Sequence, residues 1–206
     1  MKRFMSKAVL TAFLLAMAAV CSLYACTGTS SGQMYIEQTE SATEDELFAE
    51  FAASSQQHAI FRFSVDSTVK SLHIHIYELI DGQWQDIPGG TTLRFTDPNG
   101  QLFLGFNSLP NGFQTAVQGS SGSDSSYHSG DRVDLSGLCS AYTLLDRQEN
   151  ILFDQEIPLV IQIFSSTDHV NAYGPEHFSQ PGEIAEDNYE HVYAITVKFS
   201  QKPAVE

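Results

Sequence analysis

Basic residues are scarce in this chain. Of its 206 residues only 10 are Lys or Arg, against 25 Asp and Glu. Three of those ten, Lys2, Arg3 and Lys7, fall in the first seven positions. Beyond residue 25 there remain 7 basic groups against 25 acidic ones, a formal charge of −18. A surface that acidic repels phosphate backbones, which excludes nucleic acid as a partner. Cysteine is nearly as rare, with Cys21, Cys26 and Cys139 in all. A domain of this length closes a core without disulfides, so none is expected. Long apolar runs are missing too. The longest, Ala8 to Val20, covers 13 residues, short of the roughly 20 that a membrane-spanning helix needs. There is no G-x-G-x-x-G, no P-loop, no G-x-S-x-G elbow and no H-E-x-x-H, so neither a nucleotide cofactor nor a standard hydrolase site is indicated.

What is present begins with an address. A basic start, a short apolar run and small residues after it are the parts of a secretory signal peptide. It ends in Leu23-Tyr24-Ala25-Cys26, which resembles the lipobox of bacterial lipoproteins. That resemblance implies cleavage before Cys26 and acylation of its thiol by long chains, palmitate among them. It also implies a cell-membrane location, lipid-anchored on the extracytoplasmic face. Ala18-Ala19-Val20-Cys21 is a competing box, with branched Val20 where a small side chain is wanted. Two or more acyl chains hold a protein on a bilayer where one barely does. The expected organisation is thus a signal peptide over 1–25, a lipidated tether over 26–41 and one domain over 42–206.

With 42% hydrophobic and 17% charged residues, the remainder has the composition of a packed globular domain. Thr43-Glu44-Asp45-Glu46 has the form of a capping box, and Leu47, Phe48 and Phe51 follow at helical spacing, predicting one short helix over 43–54. From residue 58 the period drops to two. Strands are predicted at 58–65, at 69–80 with Leu72, Ile74 and Ile76 on one face, at 84–87, and at 91–95 after a break at Pro88-Gly89-Gly90. Others follow at 101–106, 113–118, 141–145, 151–153, 157–164 and 189–200. Turns such as Asp81-Gly82 and Asn99-Gly100 recur every 8 to 12 residues, the pattern of an antiparallel sandwich. In Ile157 to Phe164, strict alternation puts Ile157, Leu159, Ile161 and Ile163 on one face. Nine of the twelve residues from Gly119 to Gly130 are Ser or Gly, which reads as a mobile surface loop. The fold class expected is all-β, a sandwich-like domain with one short N-terminal helix. The turn order and the closing run Glu190 to Val197 are similar to those of uncharacterised exported lipoproteins of Gram-positive gut bacteria, a resemblance that brings no activity with it.

Candidate sites are few. His73 and His75 share a face of a strand, so their imidazoles stand about 7 Å apart and could share a metal. The pair resembles part of a cupin metal motif. Glu78, at odd offset from His75, faces the other side of a regular strand. The bland reading is two histidines on the polar face of a half-buried strand. A second group lies in the long stretch 165–191, where Asp168-His169, Glu176-His177 and Glu190-His191 set acids beside imidazoles. Such neighbours build acid–base or metal sites once folded. Asp124, Asp131 and Asp134 lack calcium-loop spacing. Trp84 reads as core or sheet edge, and Cys139, between Leu138 and Ser140, as a buried inert thiol. No catalytic residue is assigned and no cofactor is expected. The function expected is a membrane-tethered, non-enzymatic binding or accessory module with an envelope glycan or protein as partner. The alternative is a metal-binding protein or metal-dependent hydrolase using the histidines.

Overall fold

A computed structural model describes residues 33–40, 53, 55–94, 97–120, 122–130 and 132–204, all within one compact unit, Gln33–Glu206. The expected signal peptide, Cys21, Cys26 and, Ala53 apart, the helix expected over 43–54 lie outside the described residues. Among the described residues, eleven strands build two sheets: β1 Tyr35–Thr39, β2 Gln57–Ser64, β3 Ser71–Ile80, β4 Gln83–Arg94, β5 Asn99–Ser108, β6 Gly112–Gly119, β7 Gly122–His128, β8 Cys139–Leu144, β9 Glu149–Asn150, β10 Ile157–Ser165 and β11 His191–Ser200. One sheet runs β7-β6-β5-β2-β1-β9 and the other β4-β3-β11-β10-β8. Every pairing is antiparallel. The all-β sandwich read from the alternation is the fold.

The core lies between the sheets. Ile36, Phe61, Phe63, Leu102, Leu104 and Phe106 from the six-stranded sheet meet Leu72, Ile74, Ile76, Ile195, Val197 and Phe199 from the other. Phe63 and Phe199 touch edge to face, with ring centroids 5.7 Å apart. Burying such side chains contributes about 1.5–3 kcal/mol each, and the period-two spacing on every strand is what delivers them to a single layer.

Several local expectations are corrected. Residues 35–39 are not tether. They form β1, paired with β2 from Tyr35↔Ser64 to Thr39↔Ile60, and Ile36 is fully buried; polar neighbours mask one apolar anchor. Gly119 to Gly130 is not a free loop, because 122–128 extend the sheet as edge strand β7. A backbone ladder needs no apolar side chain once β6 presents its N–H and C=O groups. Pro88-Gly89-Gly90 does not end a strand. β4 runs through it as a bulge, with Ile74 opposite Thr91 and Ile76 opposite Ile87, and on an edge strand the missing N–H of Pro88 is tolerated. Glu149–Asn150 is the strand at the next crossing, whereas 151–153 form none. A bulge between Pro158 and Val160 resets the parity of β10. Ile157, Leu159 and Val160 therefore pack in the main core, while Ile161 and Ile163 face outward. Cys139 is exposed, since it opens an edge strand and has no outer neighbour.

Candidate functional site

The outer face of the five-stranded sheet is divided. Its distal half is apolar: Ile161, Ile163, Val192 and Ala194, flanked by Tyr77, Leu79 and Trp84. Such a patch must be covered, and the stretch 166–190 covers it. This cap carries a 3-10 turn, Pro175–Ser179, and one short helix, α1 Pro181–Ala185. Ile184 is completely buried against the sheet. Phe178 stacks on Trp84, with ring centroids 5.0 Å apart, and meets Tyr77 edge-on at 5.5 Å. The indole N–H of Trp84 donates to the Phe178 carbonyl at 2.9 Å. Asp187 fastens the cap internally: it accepts the hydroxyls of Tyr173 at 2.9 Å and Tyr189 at 2.8 Å, and the Asn171 amide at 2.8 Å. Those donors hold its carboxyl below the usual range, with Asn171 contributing most.

The other half of the face is polar. The β3–β11 register sets His75 opposite Thr196 and His73 opposite Lys198. Glu156, just ahead of β10, reaches into this group. Its Oε1 lies 2.9 Å from His75 Nδ1 and 3.1 Å from Lys198 Nζ, and its Oε2 accepts the Thr196 hydroxyl. Burial pushes this carboxyl up. The hydrogen bonds from His75 and Thr196, with the charge of His75 and the bond from Lys198, outweigh burial and leave it at about 2. A carboxylate that acidic accepts, so His75 carries its proton on Nδ1. Tyr77 beside it is raised to about 12, mainly by burial and then by Glu156.

The two sequence-predicted histidines do not converge. Their ring centroids lie 6.1 Å apart. His73 has Nε2 2.9 Å from the Ser71 hydroxyl and Nδ1 2.9 Å from that of Thr92, so both nitrogens are engaged. Burial lowers its pKa, helped by Lys198 and His75. Among the described residues, no three His, Cys, Asp or Glu side chains gather where a metal ion could sit. Glu78 lies on the opposite face, as its parity requires, where its Oε1 accepts the Tyr193 hydroxyl at 2.8 Å and stands 3.2 Å from His191 Nδ1. His169 is exposed. His177 sits in the cap between Glu176 and Glu183, at 3.4 and 3.8 Å. The three loop histidines therefore occupy separate surroundings. Asp124 is exposed on β7, Asp134 accepts the Ser136 N–H at 3.0 Å, and Asp131 lies outside the described residues.

Where the cap meets the polar half there is a cleft of about 210 Å³. Leu145, Ile157, Pro158, Pro175 and Phe178 give it an apolar wall. Arg147, Glu149, Asn150, Gln155, Glu156, Glu176 and Ser179 supply hydrogen-bonding groups. Arg147 donates to Glu149 at 2.6 Å, and that bond and charge raise its pKa. Sequence reasoning missed Glu156, Lys198, Arg147 and Phe178. Alternation along β11 does place Lys198 on the face of Thr196, but no local signal reveals that β3 is the neighbour. No family model, curated protein or solved structure matches this chain.

Proposed function

We propose that this chain is an extracytoplasmic lipoprotein, anchored through Cys26, that works as a binding module. We place its ligand seat in the cleft between Leu145–Pro158 and the cap turn Pro175–Ser179. The observation that carries the reading is the character of that cleft, an apolar wall with Phe178 facing a rim of amides and ions. A Glu156 carboxyl at about 2 stays anionic throughout the neutral range, which suits recognition and not proton transfer. A volume of about 210 Å³ lies below the roughly 300–1,000 Å³ of sites that swallow whole cofactors. It fits one sugar ring of an envelope glycan, with hydroxyls on Glu149, Asn150 and Gln155 and a C–H face against Phe178.

Melting the purified lipoprotein against envelope glycan fragments tests this. A ligand at 100 times its Kd adds about 2.7 kcal/mol to the folded state. The stabilisation is expected with a glycan and is lost in Asn150→Ala with Gln155→Ala; turnover of the glycan would instead make the protein an enzyme. The metal reading retains one supporting feature, the place of His75 in the lining of an open surface pocket. Stoichiometric zinc that disappears in His75→Ala would favour it.

A further inference from the structure

We propose that the segment joining β1 to β2, residues 43–54, lies across the outer face of the six-stranded sheet and seals its apolar centre with Leu47, Phe48 and Phe51.

That face has an apolar centre of its own. Ala59, Phe61, Leu102 and Leu104 point into the core between the sheets, so alternation turns Ile60 and Phe103 the other way. The register lines up one outer row, Thr39–Ile60–Phe103–Ala116, across β1, β2, β5 and β6. Its apolar members are closed to water: Phe103 and Ala116 are fully buried and Ile60 is 8% exposed. None of the three belongs to the core between the sheets or to the cluster under the cap. His58 stacks on Phe103 with ring centroids 6.1 Å apart. One exposed imidazole covers part of a ring and not a row.

The chain entering β2 points to the occupant. Gly105 shares the outer face with Phe103, two positions away. A Cβ on Gly105 would collide with the Ser55 hydroxyl, so Ser55 already lies over the sheet. Gln56 is held beside it, its N–H donating to Asn107 Oδ1 at 2.6 Å. Just before them, Ala53 is helical and exposed. Counted back from Ser55 at helical spacing, Phe51, Phe48 and Leu47 fall on the side toward the sheet. Ala53, Glu50 and Glu46 fall on the side toward water, in keeping with the exposure of Ala53. At its other end the segment leaves β1 at Thr39, directly beside Ile60. It is therefore bound to this face at both ends. A helix over 43–54 is about 18 Å long, enough to cross the four strands of the row, which span about 14 Å. Attachment at both ends also gives the segment an effective concentration that a separate partner lacks.

Hydrogen exchange of the full chain tests this. Amides of 47–54 are expected to exchange at least about tenfold more slowly than free peptide, equally at every protein concentration. In Phe48→Ser with Phe51→Ser, that protection should vanish while β10 and β11 keep theirs, and an apolar dye should fluoresce several-fold more brightly on the uncovered face. Phe103→Ala, made from the sheet's side, should lower the protection of 47–54 in the same way. Loss of the whole fold in the serine pair supports the same contact, since side chains facing water would not be missed. Exchange over 47–54 at the free-peptide rate, or protection and dye fluorescence that the serine pair leaves unchanged, overturns the proposal. Protection that rises with protein concentration assigns the face to a second copy and overturns it too.

Discussion

Gln162 and Leu109 tie the two sheets together from inside: the side-chain oxygen of Gln162, a residue only 2% exposed, accepts the backbone N–H of Leu109 at 2.8 Å. Gln162 belongs to β10, and Leu109 to the 3-10 turn Leu109–Asn111 that follows β5. A buried donor with no partner costs more than a made bond contributes. Gln162→Leu keeps the volume and removes the acceptor, so urea unfolding should show a loss of about 2 kcal/mol. A loss under about 0.5 kcal/mol would show that Leu109 finds another partner.

Acid should destabilise the fold in two stages. Burial lowers the pKa of His73 and of His128 below the ordinary histidine value, so the unfolded chain takes up protons first and stability falls as the pH drops through 6.5. Glu156 acts lower down. Its carboxyl titrates at about 2 in the fold, against 4.5 ordinarily, so its contribution is complete above about pH 4.5 and vanishes towards pH 2. Discounted for partial solvent screening, that contribution is about 2 kcal/mol. Glu156→Gln should flatten the lower limb of a melting-temperature profile; an unchanged limb would assign the acid sensitivity elsewhere.

Two glycines should respond in opposite directions to alanine. A Cβ on Gly90 would stand 2.6 Å from the Ile74 carbonyl oxygen, so the β4 bulge must shift, at about 1–3 kcal/mol. A Cβ on Gly182, in α1, meets nothing within 4 Å, and a helical Gly→Ala change of this kind stabilises by about 0.5–1 kcal/mol. Calorimetry of the two variants reads both signs.

Cys139 should react with a thiol reagent in the native protein, without denaturant and at the rate of a free thiol, because it is exposed and unbridged. Reaction only after unfolding would restore the buried thiol expected from its neighbours.

The strands that carry the core were legible because each alternates strongly. Leu72, Ile74 and Ile76 on β3 announce a buried face whatever lies across from them, and that is enough to determine an all-β sandwich. The strands that were missed hold little or no apolar signal of their own. β7 is Ser-rich and exists because β6 offers a ladder, while β1 rests on Ile36 and the register with β2. The parity of β10 could not be read either, since a bulge resets it without a sequence mark.

The amino-acid order by itself determined the acidic charge and the period-two framework, both of which are local or additive properties. Only the tertiary structure decided that His75 meets Glu156 from 81 positions away and that the cap leaves a cleft beside Phe178. Those relations depend on strand order, which follows from burying both sheets together and is written in no single segment.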